Sequence, residues 1–113
     1  MNERRKAKRV IITAIAEVNS LEGNSIQEGY VANISDTGIG VFMKQPMKLN
    51  SRVEIKMSFY TLSGIKDVER IMGKIKRVEP FSNVYSLGIE FDGLDPVKDR
   101  ELISYLTATQ KIF

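Results

Sequence analysis

Hydrophobic and polar residues alternate most clearly in two segments of the chain, residues 52–59 and residues 84–91. In the first segment the apolar positions are Val53, Ile55, Met57 and Phe59. In the second they are Tyr85, Leu87, Ile89 and Phe91. Successive side chains of a β-strand point to opposite faces, so a period of two indicates a strand with one buried and one wet face. Each segment is therefore predicted to be a strand.

Three further segments, residues 10–18, 26–34 and 39–43, are apolar runs of strand length that are rich in β-branched residues. Residues 67–78 form a fifth candidate in chain order, but their alternation is imperfect. Val68, Ile71 and Ile75 cannot share one face of an uninterrupted strand. A bulge near Met72 and Gly73 is predicted to reconcile them, because glycine inside a strand often marks one.

The segments between these strands carry turn residues. A hairpin loop is predicted over residues 19–25, a connection over 44–50, and turns over 61–66 and 79–83. Pro46 makes a central strand improbable in the connection, because proline cannot donate to a sheet ladder.

The period of the pattern changes after residue 94. Asp95 can cap a helix and Pro96 suits its first turn. Leu102, Ile103 and Leu106 then recur at helical spacing, so a helix is predicted over residues 95–109.

Six short antiparallel strands followed by one helix predict a mainly β fold, a closed six-stranded barrel, because closure removes exposed strand edges. The helix is expected to cover one mouth or edge. The 113 residues fit a single domain, with a basic arm over residues 1–9 and barrel strands within residues 10–91.

Composition narrows the possible functions. The chain has neither cysteine nor histidine, so it lacks a thiolate nucleophile, the usual general base and the commonest transition-metal ligand. No carboxylate pair stands beside a candidate nucleophile, and no enzymatic activity, metal or cofactor is predicted. Without a long apolar run or an apolar leader, a cytoplasmic protein with no membrane association is expected.

Positive charge is concentrated at the start of the chain. Residues 1–9 contain five lysines and arginines and one glutamate, a net charge of +4. Residues 10–113 contain the other 12 lysines and arginines and 13 aspartates and glutamates, a net charge of −1. Such a cationic segment is most often a solvated tail or a non-specific polyanion binder, but it can also bind phosphate specifically.

Two groups of residues could carry chemistry. One is the pair Arg5 and Arg9, whose guanidinium groups suit phosphate oxygens and the O6/N7 edge of guanine. The other is the stretch Asn33-x-Ser35-x-x-Gly38, which offers an amide, a hydroxyl and a site of close backbone approach. By itself this second stretch is most often only a turn between two strands.

Arg5-x-x-x-Arg9, followed about two dozen residues later by Asn33-x-Ser35-x-x-Gly38, resembles the paired signatures of the PilZ family. The stretch Tyr85-Ser86-Leu87-Gly88-Ile89-Glu90-Phe91 looks like the last barrel strand of that family. The resemblance covers nearly the whole chain. It implies a six-stranded barrel that reversibly binds cyclic di-GMP, a bacterial second messenger with two phosphates and two guanines.

The resemblance also implies roles for individual residues. Arg5 and Arg9 would contact phosphate and the guanine edge from a flexible arm. Asn33 and Ser35 would hydrogen-bond a guanine or a phosphate, and Gly38 would keep the turn tight.

Two more arginines are candidates. Arg4 could support a stacked pair of ligand molecules, because guanidinium also stacks on purine faces. Arg77 stands where relatives present an aromatic or long side chain to the ligand. It either stacks on a guanine or is a charge on a strand surface. Gly40 and Gly88 are interpreted as strand or packing glycines.

Two alternatives stay open. One is a nucleic-acid-binding small barrel with the arm on the phosphate backbone. Against it, Phe42, Phe59 and Phe91 are assigned to inward faces, which leaves few aromatics for base stacking. The other is a PilZ-like adaptor that binds only proteins. With no second domain in the 113 residues, output is expected to pass to an effector protein.

Overall fold

A computed structural model describes residues 14–23, 25–61, 64–94 and 103. It contains six strands: β1 (Ala14–Ser20), β2 (Ile26–Ile34), β3 (Gly38–Met43), β4 (Arg52–Thr61), β5 (Gly64–Phe81) and β6 (Val84–Phe91). The basic arm and, apart from Ile103, the helix predicted over residues 95–109 lie outside the described residues.

The six strands form one closed barrel in the order β1-β2-β3-β6-β5-β4. Every neighbouring pair is antiparallel, and the pairing of β1 with β4 closes the sheet. The prediction of a six-stranded antiparallel barrel is therefore confirmed.

The barrel interior is filled by apolar side chains from all six strands. Its largest fully buried side chains are those of Phe59, Ile34, Ile39, Met43, Ile55, Met57, Ile71, Ile75, Leu87, Val18 and Val41. Burial of a side chain of this size contributes about 1.5–3 kcal/mol. The alternation noted in residues 52–59 and 84–91 corresponds to this inward face, with Phe59 at 0% and Phe91 at 6% exposure.

The strand boundaries differ from the predicted ones where a turn is shorter than its polar residues suggest. The first strand continues to Ser20, so its hairpin loop is shorter than residues 19–25. The fifth strand has 18 residues, Gly64–Phe81, so it includes residues 64–66 and 79–81 of the two predicted turns. Only Ser82 and Asn83 separate β5 from β6.

The bulge predicted near Met72 and Gly73 lies slightly earlier in β5, between Val68 and Ile71, which pair with Met57 and Ile55 of β4. Gly73 lies in regular pairing with Val53 of β4. A β-carbon there would lie 2.7 Å from the carbonyl oxygen of Glu90, so Gly73 serves close strand approach. A second register shift in β5 lies at Lys76, where the strand has one extra residue relative to β6.

The assignment of Phe42 to an inward face is also wrong. Val41 and Met43, its neighbours in β3, are the buried residues, and Phe42 lies on the outer face. Its ring stacks on that of Phe81 with centroids 5.2 Å apart. Since Tyr30 is 71% and Phe81 58% exposed, the barrel does carry aromatic side chains on its surface.

Within the described part of the chain, no helix has the length and apolar character needed to cross a membrane.

Candidate functional site

Asn33 is turned to the outer face by an irregularity in β2. Val31 pairs with Val41, but Asn33 pairs with Gly40, so β2 contains one extra residue, Ala32, relative to β3. In an uninterrupted strand Asn33 would point the same way as the buried Val31. The bulge reverses this, and Asn33 lies on the outer face of the barrel.

Arg77 is turned outward in the same way. Ile75 of β5 pairs with Ile89 and is fully buried, whereas Arg77 pairs with Gly88. Lys76 is the extra residue, and both Lys76 and Arg77 are exposed. Without the bulge Arg77 would point into the barrel with Ile75.

These two residues stand at the ends of one row across four strands. Asn33 of β2 pairs with Gly40 of β3, Gly40 pairs with Gly88 of β6, and Gly88 pairs with Arg77 of β5. The two middle positions of the row have no side chain. The structure thus brings Arg77 and the Asn33 turn, 44 positions apart in sequence, to one face of the barrel.

The turn between β2 and β3 is held by its own side chains. Thr37 donates its backbone N–H to the hydroxyl oxygen of Ser35 at 3.2 Å, and the two hydroxyl groups lie 3.1 Å apart. The backbone N–H of Ser35 donates to the carbonyl of Gly38 at 2.9 Å. Ser35 is only 1% exposed, so its hydroxyl stabilises the turn in this structure.

Gly38 joins this turn closely to β6. A β-carbon on Gly38 would lie 2.5 Å from the carbonyl oxygen of Ile89, closer than real contacts allow. The backbone N–H of Phe91 also donates to the carbonyl of Thr37 at 2.8 Å. Positive φ occurs at Gly64 and Gly93 and not at Gly38, so Gly38 serves close approach of two strands.

The side chain of Arg77 has fixed partners. Its Nη1 donates to Oε1 of Glu79 at 3.0 Å and to the hydroxyl of Ser86 at 3.2 Å. The Arg77–Glu79 ion pair is largely exposed and contributes little to stability. Its effect is to restrict the rotamers of a long side chain that lies beside the turn.

A surface hollow of about 260 Å³ lies between the turn and the bulge in β5. Thr37 and Gly38 line it on one side, and Lys76 and Arg77 on the other. Glu90, also in its lining, is the acidic residue of the hollow among the described residues. Two adjacent cations, Lys76 and Arg77, suit an anionic group.

The structure brings together four of the predicted or proposed site positions, Asn33, Ser35, Gly38 and Arg77, while Arg4, Arg5 and Arg9 lie outside the described residues. Three positions were missed or interpreted otherwise: Lys76, Gly40 and Gly88. Gly40 and Gly88 fall at outward positions of paired strands, in Gly38-Ile39-Gly40 and Leu87-Gly88-Ile89. The alternation of buried and outward positions along each strand could have assigned both glycines to the outer face. Only the pairing register of β3 with β6 shows that they are neighbours.

Among the described residues, no group of three or more acidic side chains could hold a metal ion.

The sequence matches the family model of the PilZ domain over residues 3–108. The chain belongs to the PilZ domain family. No curated protein sequence matches it.

Solved PilZ structures share the fold at low sequence identity. The inhibitor of motility MotI/DgrA from Bacillus subtilis superposes with a TM-score of 0.75 at 16% identity, covering 97% of this chain and 53% of that one. The PilZ domain of Escherichia coli YcgR with c-di-GMP superposes with a TM-score of 0.69 at 13% identity. The match covers 96% of this chain and 93% of that one. A longer Escherichia coli YcgR chain in complex with c-di-GMP superposes with a TM-score of 0.74 at 15% identity. The match covers 96% of this chain and 47% of that one. This PilZ domain therefore spans about half the length of MotI and of the longer YcgR chain.

Proposed function

We propose that this PilZ domain is a cyclic di-GMP receptor and not an enzyme. The ligand is held between the arginine arm, with Arg4, Arg5 and Arg9, and the outer face of the barrel around the β2–β3 turn. The proposal rests on one observation: Asn33 and Arg77 stand at the two ends of one cross-strand row on the outer face of the barrel.

The barrel face has the chemistry that the ligand requires. Asn33 offers a donor and an acceptor to a base edge, and Arg77 offers a planar set of donors. Lys76, which lines the hollow beside Arg77, provides positive charge for a phosphate. Ser35 is assigned to the support of the turn, because its hydroxyl bonds Thr37.

The arm would supply the remaining charge. Residues 1–9 carry +4, and a charge-assisted hydrogen bond contributes about 1.5–3 kcal/mol. Since about 1.4 kcal/mol is tenfold in affinity, loss of two such bonds would remove most binding. Closure of the arm over the ligand would change the exposed surface, and an effector protein that recognises this surface would receive the signal.

Isothermal titration calorimetry with cyclic di-GMP tests the receptor assignment. The wild-type protein is expected to bind it at least tenfold more tightly than cyclic di-AMP or GTP. Arg9→Ala should lose most of the cyclic di-GMP affinity. Lys56 is an exposed cation of β4, and Lys56→Ala should bind like the wild type. Absence of saturable cyclic di-GMP binding would refute the proposal.

One observation favours a second candidate, a nucleic-acid-binding barrel. The outer-face cluster of exposed Tyr30, half-buried Phe42 and exposed Phe81 provides rings on which single-stranded bases could stack. Single-stranded RNA is therefore the appropriate competitor in the same titration. RNA binding that falls steeply with salt, without cyclic di-GMP binding, would support this candidate and exclude the receptor.

A further inference from the structure

An apolar surface runs across the outer wall of the barrel from β1 to the β5–β6 hairpin. Ile15 of β1 pairs with Tyr30 of β2, and Tyr30 pairs with Phe42 of β3. The ring of Phe42 stacks on Phe81, and Val84 follows the two-residue turn after Phe81. We call these five residues the aromatic face. Tyr30 and Phe81 are exposed, and contiguous apolar surface of this kind marks an interaction site.

Two opposite charges stand at one end of the aromatic face. Glu28 lies two residues before Tyr30 on β2, and Lys44 lies two residues after Phe42, just past β3. Because β2 and β3 are antiparallel, both charges lie at the same end, and both line a hollow of about 310 Å³ beside the rings. Both are exposed, and among the described residues neither forms an ion pair. Each can therefore pair with a charge on another molecule.

We propose that the aromatic face is the contact between two copies of this chain, related by a twofold axis that runs between β2 and β3. The inference goes beyond the receptor assignment. None of its residues belongs to the cross-strand row of Asn33 and Arg77, and no ligand enters the argument.

A twofold axis between β2 and β3 makes this surface complementary to itself. An axis in the plane of contact, parallel to the two strands, exchanges what stands on its two sides. Tyr30 then lies over Phe42 of the other copy, and Phe42 lies over Tyr30. The same rotation places Glu28 over Lys44 of the other copy, and Lys44 over Glu28. Ring meets ring and carboxylate meets ammonium in both halves of the contact.

The outer residues of the aromatic face obey the same symmetry. Ile15 stands beside Tyr30 on one side of the axis, and Phe81 stands beside Phe42 on the other. The rotation brings Ile15 and Phe81 together across the contact, and both are apolar. An unrelated partner does not require this correspondence between the two halves of a surface, so a second copy is the occupant that fits it.

The balance of charge argues against a nucleic acid on this surface. The hollow beside the rings is lined by one acid and one base, Glu28 and Lys44. A neighbouring hollow, which shares Glu28, adds Glu17 and Asp67 against Lys56. A surface that binds a phosphate backbone carries an excess of positive charge, which these residues do not supply.

The size of the aromatic face sets the expected strength of the contact. An aromatic side chain buries about 150–250 Å². Three rings from each copy, with Ile15 and Val84 at their margins, would bury on the order of 1,000 Å² in total. That area is at the low end for a specific interface, so the dimer should be weak, with a dissociation constant of about 10–500 μM.

Sedimentation velocity of the full 113-residue chain, without cyclic di-GMP, tests the dimer. The sedimentation coefficient should rise from the monomer value to the dimer value between about 5 μM and about 1 mM protein. Tyr30→Ser should weaken dimerisation about tenfold or more. Leu21→Ser is the matched control, because Leu21 is an exposed apolar residue outside the aromatic face. A chain that stays monomeric throughout, or equal losses in the two variants, would overturn the inference.

Charge reversal tests the twofold arrangement. Glu28→Lys should weaken self-association about tenfold or more, because each new lysine would face Lys44 of the other copy. Lys44→Glu should do the same, because each new glutamate would face Glu28. An equimolar mixture of the two variants should dimerise like the wild type, since both contacts of the mixed pair join opposite charges. A mixture as monomeric as its two components would contradict the inference.

Mixing also separates the contact from the fold. An effect of either substitution within its own chain would persist in the mixture, so recovery can come only from the contact between copies. Lys48→Glu reverses an exposed charge outside the aromatic face and should dimerise like the wild type. Loss of the dimer in this control would assign the effects to net charge and would count against the inference.

The outcomes separate this inference from the other assignments. Single-stranded RNA that binds a monomeric chain, and no longer binds Tyr30→Ser, would assign the aromatic face to nucleic acid and overturn the dimer. Because no measurement here uses cyclic di-GMP, absence of ligand binding refutes the proposed function alone. Absence of a dimer refutes this inference alone.

Discussion

The hydroxyl group of Ser35 lies 3.1 Å from that of Thr37 and accepts a hydrogen bond from the Thr37 backbone N–H at 3.2 Å. Ser35 is almost fully buried, so removal of its hydroxyl leaves the N–H of Thr37 without this acceptor. We expect Ser35→Ala to lower the free energy of unfolding by about 1–3 kcal/mol, measured by urea denaturation.

Ser58→Ala is the control for this prediction. The Ser58 hydroxyl donates to Asp67 in an exposed pair, where water can replace it. The expected change is within about 0.5 kcal/mol. Equal losses in the two variants would show that the Ser35 hydroxyl does not stabilise the turn.

Gly38→Ala should destabilise the barrel and weaken ligand binding together. Its β-carbon would lie 2.5 Å from the carbonyl oxygen of Ile89, so β3 and β6 would have to separate. We expect a loss of about 1–3 kcal/mol in the free energy of unfolding. Gly23→Ala is the control, because a β-carbon there meets only the Ser20 hydroxyl at 3.6 Å. If Gly38→Ala is as stable as Gly23→Ala, the close approach of β3 and β6 at Gly38 is contradicted.

Ser82→Gly should stabilise the protein. Ser82 has φ 56° in the two-residue turn between β5 and β6, a conformation that glycine adopts without steric cost. The expected gain is about 0.5–1 kcal/mol, seen as a higher urea midpoint. Ser82→Ala keeps a β-carbon and should give no gain, and a gain in that variant would assign the effect to something other than φ.

Phe59 and Phe42 provide a matched pair of truncations on opposite faces of the barrel. Phe59 is fully buried, so Phe59→Ala should cost about 3–5 kcal/mol in the free energy of unfolding. Phe42 contacts Phe81 on the outer face, and its truncation should cost markedly less. Similar losses would show that Phe42 belongs to the core.

Closure of the arm predicts a change in hydrogen exchange. Backbone amides of residues 1–10 should exchange more slowly after cyclic di-GMP is added, while amides of β4 should not change. Equal exchange of the first ten residues with and without ligand would refute the closing arm and leave the barrel-face contacts standing.

The architecture of the barrel could be predicted from the sequence because each strand buries one face. Period-two alternation reports burial directly, and residues 84–91 became β6 with the predicted bounds. The ends of β5 could not be predicted, since polar turn residues also occur in paired strands. Glycine marked the bulge only roughly: Gly73 itself serves close approach to β6, and the bulge lies between Val68 and Ile71.

The candidate site residues could be predicted from the sequence only through the resemblance. Asn33, Ser35 and Gly38 lie in one turn, and it was their spacing together with Arg5 and Arg9 that singled them out. The outward positions of Asn33 and Arg77 depend on two single-residue bulges, at Ala32 and Lys76, which alternation does not reveal. The pairing of Gly40 with Gly88 depends on register, a property of two strands together.

The closed order of the strands restricts how a partner protein can engage this domain. Each of the six described strands has a hydrogen-bonded neighbour on both sides, because β1 pairs with β4. Along the stretches that are paired on both sides, a peptide finds no open edge for β-augmentation, whereas residues 77–81 of β5 pair with β6 and with no other described strand. A protein that recognises the doubly paired part of the barrel must therefore contact side chains on its outer wall.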